Sequence, residues 1–221
     1  MNKSSLWPTE IYNFKSETID NDKIKEIILE KEKEDDARYP VKANSRGSRG
    51  RGIGHGTSKD SLLTEDCFSE ITDFLFDCTL AITEDLYRDG IKFCMTDSWA
   101  NVKRDGDHSL NHIHPNSHWG CAYYVTETYE SPIYFSDPRI RKHMYEAYGL
   151  ERENKYSNTM GPAKNYPGEV LFFPAWLEHA VSNNLNKNPR ISISANFTVY
   201  DGNNLTSGQL EKLGIPGYAF Y

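Results

Sequence analysis

Residues 169–194 read EVLFFPAWLEHAVSNNLNKNPRISIS. An aromatic and aliphatic segment, 169–173, runs into Pro174. A second short β-type segment, 178–182, carries His179. A run of Asn, Lys and Pro then leads to a third, 190–200, which opens on Arg190. Short segments rich in Val, Ile, Phe, Tyr and Thr, bounded by turn residues, predict antiparallel strands. In the last of them alternation puts Arg190, Ser192 and Ser194 on one face and Ile191 and Ile193 on the other. A basic side chain aimed into a β core must be paired. The carboxylate of a small ligand is one partner, held by two parallel hydrogen bonds; a structural salt bridge is the other.

Upstream, 91–103, 119–127 and 132–136 have the same β texture. Residues 6–14 predict a short edge strand with Pro8 near its start. Helices are predicted over 20–36 and 61–88. The first has a narrow stripe at Ile24, Ile27, Ile28 and Lys31 under a solvated charge run. The second steps by three or four through Phe68, Ile71, Leu75, Cys78, Ile82 and Leu86, and Asp89-Gly90 ends it. Residues 42–60, rich in Gly, Arg and Lys, read as a mobile loop that cannot pack a core. Short helices are predicted over 137–148 and 206–213. The fold class that follows is mainly β with flanking α-helices, a jelly roll or barrel. One domain is expected over 1–221: helical support and loop to 90, a β core over 91–200, and a tail over 201–221.

With 221 residues the chain is long enough to bury a core without disulfides or a structural metal. Aromatics at 13% place it away from the disordered class. A net charge of −7 argues against a whole-surface grip on nucleic acid, although Arg46, Arg49, Arg51 and Lys59 form a local basic stretch. No apolar run approaches the ~18–20 residues of a membrane span, and the first residues lack the apolar core of a signal peptide. Cys67, Cys78, Cys94 and Cys121 form no C-x-x-C pair, which suits free thiols in a reducing cytoplasm.

Four of the seven histidines crowd into residues 108–118, HSLNHIHPNSH. His112 and His114, two apart, would share one face of a strand and converge on one point, the geometry that a metal needs. Taken alone, such a pair reads equally as two surface or hydrogen-bonded imidazoles. His108 and His118 read as surface or supporting groups, and His55 and His143 as solvated. Trp119, Phe172 and Trp176 read as core aromatics, with Trp176 close enough to His179 to line a pocket.

The ordered set His112-x-His114, His179, then Arg190-x-Ser192 resembles the Fe(II)/2-oxoglutarate-dependent oxygenases. A closer resemblance is to a small prolyl-4-hydroxylase-like family of these enzymes found in marine bacteria and their phages. It rests on Leu6-x-Pro8-Thr9-x-Ile11-Tyr12, Ser45-Arg46-Gly47, Ser58-Lys59-Asp60, Trp99-Ala100-Asn101-Val102, His112-x-His114-Pro115-Asn116-Ser117-His118 and Tyr123-Tyr124-Val125. It continues through Phe135-x-Asp137-Pro138-Arg139, Phe173-Pro174-x-Trp176-Leu177-x-His179 and Arg190-Ile191-Ser192-Ile193-Ser194. The Arg/Gly stretch 46–56 is longer than that family's loop.

The resemblance implies a double-stranded β-helix, cupin-like in plan. It implies Fe(II) on His112, His114 and His179, with 2-oxoglutarate as cosubstrate and O2 as oxidant. Arg190 and Ser192 would anchor the far carboxylate of 2-oxoglutarate. Tyr124 would assist, and Asn101 would contact the C1 carboxylate or the substrate. It further implies hydroxylation of a C–H bond, and its prolyl hydroxylase side points to a protein or peptide side chain; a free amino acid, a nucleic acid or a small metabolite stays open. One departure stands out, because His114 occupies the place where the wider superfamily has Asp or Glu. Imidazole also suits Zn, Cu and Ni. Asp107 and Asp137 are the alternative carboxylate ligands.

Two rival readings remain at this point. In a cupin-type dioxygenase or isomerase without 2-oxoglutarate, Gly106-x5-His112-x-His114 and Pro174-x-Trp176-x2-His179-x3-Asn183 nearly fit the motifs, and His118 stands where the Glu would be. In a non-catalytic phage structural or adaptor protein, the histidines would hold a structural metal or nothing.

Overall fold

A computed structural model describes residues 8–38, 53–54, 61–128, 131–138, 160–163 and 165–203. Nine strands and two α-helices are present among them. They are β1 (Tyr12–Lys15), α1 (Asn21–Arg38), α2 (Ser69–Leu86), β2 (Ile91–Lys103), β3 (Ser109–His112), β4 (Trp119–Tyr124), β5 (Ile133–Ser136), β6 (Met160–Ala163), β7 (Glu169–Pro174), β8 (His179–Val181) and β9 (Arg190–Asp201). They form two sheets, ordered β1-β7-β4-β9-β2 and β3-β8-β5-β6. Every pairing is antiparallel. This is the mainly β plan with few helices that the sequence predicts.

Two apolar clusters hold the layers together. In the first, Ile24 and Ile28 of α1 and Ile71, Leu75 and Ile82 of α2 pack on the outer face of the larger sheet, against Phe93, Cys121, Tyr123, Phe172, Ile193 and Phe197. Each fully buried ring or branched chain contributes about 1.5–3 kcal/mol. In the second, Ala122, Tyr124, Leu171 and Phe173 of the larger sheet meet Ile133 and Leu177 from the smaller side. β4 lies between β7 and β9 and is buried on both faces, so it reads as an unbroken buried run, not an alternating one.

Register makes the inner face of the larger sheet regular. Opposite one another stand Phe173, Gly120, Asn196 and Asp97, one from each of β7, β4, β9 and β2. The next rows hold Leu171, Ala122, Ser194 and Trp99, then Tyr124, Ser192 and Asn101, then Arg190 and Lys103. β2 reaches this face through a bulge at Thr96, where the pairing shifts between Met95–Phe197 and Asp97–Asn196. Before the bulge, Phe93 and Met95 pack toward the helices; after it, Ala100 and Val102 do. The extra residue turns Asp97, Trp99, Asn101 and Lys103 inward.

Three details differ from the sequence expectation. The helix predicted from 61 begins at Ser69, after two 3-10 turns at Leu62–Thr64 and Asp66–Phe68. The cause is tertiary: Leu62 and Leu63 are both buried, and the Leu63 N–H donates to Ser98 Oγ at 2.9 Å. Within the glycine-rich stretch, Ile53 is buried in the outer cluster and exchanges two 2.9 Å backbone hydrogen bonds with Ala100, so this point of the loop does pack a core. β6, which the sequence reading did not anticipate, is an edge strand, where Pro162 is tolerated. Of the helix predicted over 137–148, Asp137 and Pro138 are described and are not helical; its remainder, the helix predicted over 206–213, and His55 and His143 lie outside the described residues.

Candidate metal centre

β3 and β8 bring the first two histidines together. His112, the last residue of β3, faces His179, the first of β8. His114 lies beyond the end of β3, so the two-apart pair does not share a strand face as the sequence reading supposed. Its backbone N–H instead donates to the Ala175 carbonyl at 2.9 Å, and its ring stands over the larger sheet beside Phe173 and Trp99. The three rings still converge. Their centroids lie 4.3 Å (His112–His179), 4.9 Å (His114–His179) and 5.4 Å (His112–His114) apart. One nitrogen from each falls within 4.8 Å of the others.

Hydrogen bonds fix which nitrogens face inward. His112 Nδ1 donates to the Leu110 carbonyl at 2.7 Å, and His179 Nδ1 to the Leu177 carbonyl at 2.9 Å. Carbonyls only accept, so both protons sit on Nδ1 and the Nε2 lone pairs are free. His114 Nδ1 donates to Asn196 Oδ1, whose amide is oriented by a 3.1 Å bond from its Nδ2 to Asp97 Oδ2. Burial keeps the rings of His114 and His179 neutral. It lowers His179 to about 3, and His112 and His114 push in the same direction; it also lowers His114 below the usual histidine range. Three imidazoles that turn their Nε2 atoms to one point are a ligand set for a divalent transition metal.

The second half of the site begins along the same sheet face. His112, His114, His179, Asn101, Arg190 and Ser192 all line one pocket. Arg190 is 4% exposed and Tyr124 fully buried, with the guanidinium carbon 5.6 Å from the tyrosine ring centre. Among the described residues, Arg190 Nε and Tyr124 Oη have no hydrogen-bond partner and no carboxylate pairs with the guanidinium. Burial lowers Arg190 and pushes the Tyr124 hydroxyl up to about 12. Leaving such groups unmet inside a protein costs about 1–3 kcal/mol each, more for a charged one. An anion that accepts from both removes that penalty, so a dicarboxylate reaching from the histidines toward Arg190 fits. Asn101 is spoken for in part, since its Nδ2 donates to Ser194 Oγ at 3.1 Å.

Other candidates fall outside the cluster. Neither Asp107 nor Asp137 belongs to it. Asp107 Oδ2 caps a turn by accepting from the Arg104 N–H at 2.8 Å. His118 also lies outside it, its Nδ1 bonded to Thr198 Oγ1 at 2.7 Å, so the extra ligand of a cupin-type site is absent among the described residues. The carbonyl of His108 accepts from Lys103 Nζ, and its ring does not join the cluster. Trp119 and Phe172 are core, as expected, but Trp176 is 55% exposed at the turn before His179 and joins neither the core nor the pocket lining. Sequence reasoning missed Asp97, Trp99, Lys103 and Asn196. Alternation carried both ways from Asn101 and forward from Ser194 would have found them.

Residues 97–196 match a family model described as "Putative 2OG-Fe(II) oxygenase". No curated protein matches the chain. Solved structures of similar fold include AviO1 from Streptomyces viridochromogenes, at 9% identity over 86% of this chain and 90% of that one, with a TM-score of 0.56. The epimerase SnoN, solved with Fe3+, alpha ketoglutarate and nogalamycin RO, aligns at 12% identity over 86% and 79%, TM-score 0.52. A prolyl-4-hydroxylase from Pseudomonas putida aligns at 10% identity over 86% and 88%, TM-score 0.51. At these identities the likeness is one of fold, the double-stranded β-helix. Asp97 and Asn196, partners across the larger sheet, are the first and last residues of the matched span, and the histidine cluster and the buried arginine lie between them. That span, just under half of the chain, therefore matches the 2OG-Fe(II) oxygenase family, the enzyme class that the sequence resemblance implies.

Proposed function

We propose that this oxygenase hydroxylates a C–H bond of its substrate, with Fe(II) held by His112, His114 and His179 and 2-oxoglutarate anchored by Arg190. The observation that carries the reading is the pairing of two unmet demands in one pocket: three free Nε2 lone pairs at one end, and at the other a buried guanidinium with no carboxylate partner among the described residues and an unbonded Nε. When bound, the metal and 2-oxoglutarate supply the oxidising power, one oxygen atom of O2 leaving in succinate with CO2 and the other entering the substrate C–H bond.

The chain's own part is binding, orientation and dryness. The histidines donate three Nε2 atoms from one side and leave the opposite positions open. Arg190 Nε and Tyr124 Oη donate to the distal carboxylate, with Ser192 and Asn101 beside them. Ala122, Leu171, Phe173, Ile133 and Leu177 form an apolar wall that keeps water from the reacting atoms. His114 and His179 are buried while His112 is exposed, so the substrate approaches over the His112 edge. We take a protein or peptide side chain as the substrate class, on the resemblance to prolyl hydroxylases.

The test is anaerobic titration of metal-free protein with Fe(II), with and without 2-oxoglutarate. A visible charge-transfer band that needs both, and succinate formation on admitting O2, is the expected result. Tight iron binding without the band overturns the cosubstrate assignment, and no iron binding overturns the metal centre. Candidate peptides are then ranked by the rise in succinate formation, with mass spectrometry reading a gain of one oxygen atom.

A further inference from the structure

The three histidines are not held alike. His112 and His179 each lean on the backbone carbonyl two residues earlier, which any residue at that position would provide. The ring of His114 is held by a side chain instead. That ring stands over the row Phe173, Gly120, Asn196 and Asp97, where a Cβ on Gly120 would come within 3.0 Å of His114 Nδ1. Asn196 accepts from that nitrogen and donates to Asp97 Oδ2. The bulge residue Thr96 donates from Oγ1 to the other oxygen, Asp97 Oδ1, at 2.9 Å. Both oxygens of Asp97 are therefore engaged, one by the bulge and one by Asn196.

We infer that Asp97, acting through Asn196, is the positioning carboxylate of the third metal ligand. The inference rests on the reading that the three histidines hold the metal. A neutral His114 brings no negative charge where a carboxylate ligand would. Asp97 returns part of that charge from two hydrogen bonds away. It polarises the Asn196 amide, which strengthens the bond to Nδ1–H and the donor character of Nε2. It also holds the amide in the one orientation that presents Oδ1 to the ring. Supporting groups of this kind are worth about 10–100-fold in metal affinity.

The probe is Co(II), added to metal-free full-length protein, because its d–d bands report the ligand field directly. Asp97→Asn keeps the shape and an acceptor oxygen for Asn196 and removes the charge. We expect it to weaken Co(II) binding about tenfold and shift the bands, with little change in the melting temperature of the metal-free protein. Asn196→Ala should cost about 10–100-fold, and Asp97→Asn should add nothing in that background. Full additivity in the double variant overturns the relay, as does an Asp97→Asn protein with wild-type affinity and spectrum. Should Asn196→Ala fail to fold, the affinity and spectrum of Asp97→Asn decide alone. A wild-type protein that binds no Co(II) overturns the trihistidine reading itself, and the relay with it.

Discussion

The two faces of β9 are built to opposite rules. Outward, Ile191, Ile193, Ala195 and Phe197 pack under the helices with no polar atom to satisfy. Inward, Arg190, Ser192 and Ser194 line the pocket, Asn196 holds His114, and Arg190 Nε has no hydrogen-bond partner among the described residues. The outer face can close on itself. Among the described residues nothing completes the inner face, and that incompleteness marks the site more sharply than any single residue does.

The contrast is tested hardest at His179. His179→Ala should abolish Fe(II) binding in anaerobic titration while the outer core keeps the protein folded by circular dichroism. If iron still binds tightly, the cluster is not the metal centre. Next comes Arg190→Met. It should weaken 2-oxoglutarate binding by two orders of magnitude or more, about 2–5 kcal/mol for a buried charged partner. The metal-free protein should lose no stability, because an unpaired buried charge is replaced by a hydrophobic side chain. A large drop in melting temperature would mean that Arg190 has a structural partner after all.

Acidification separates the faces in another way. The His179 value falls from its ordinary 6.5 to about 3 in the folded chain. The unfolded chain therefore binds the proton first, and the stability held by the neutral ring is complete above pH 6.5 and drains away toward pH 3. Thermal melts of metal-free protein across that range should show the loss, and His179→Phe should flatten it. An unchanged slope would place the acid sensitivity elsewhere. The smallest effect is expected from Tyr124→Phe. It deletes the buried hydroxyl beside Arg190, so 2-oxoglutarate binding should weaken about five- to tenfold, the worth of one hydrogen bond, with melting unchanged or slightly raised.

Much of this was legible in the chain. The strands β2, β7 and β9 are where Val, Ile and Phe alternate, and His112, His114, His179 and Arg190 stand out by residue type and order. What escaped depends on contacts between residues 35 to 100 positions apart. Thr96 is a bulge because of how Phe197 and Asn196 pair with Met95 and Asp97, and nothing local says so. The 3-10 turns before α2 exist because Ser98 takes the Leu63 N–H. Asn196 reads as one more polar residue of an alternating strand until the ring of His114 is set beside it.

The bulge at Thr96 also divides β2 by what a mutation there would do. On one side of it, the odd-numbered Phe93 and Met95 pack in the outer core; on the other, the odd-numbered Asp97, Trp99 and Asn101 turn to the inner face, where the proposed site lies. A saturation scan of the strand should therefore show its two-residue rhythm of intolerance change phase at position 96, with folding defects and catalytic defects trading parity. A single deletion at that position would put both sets out of step at once.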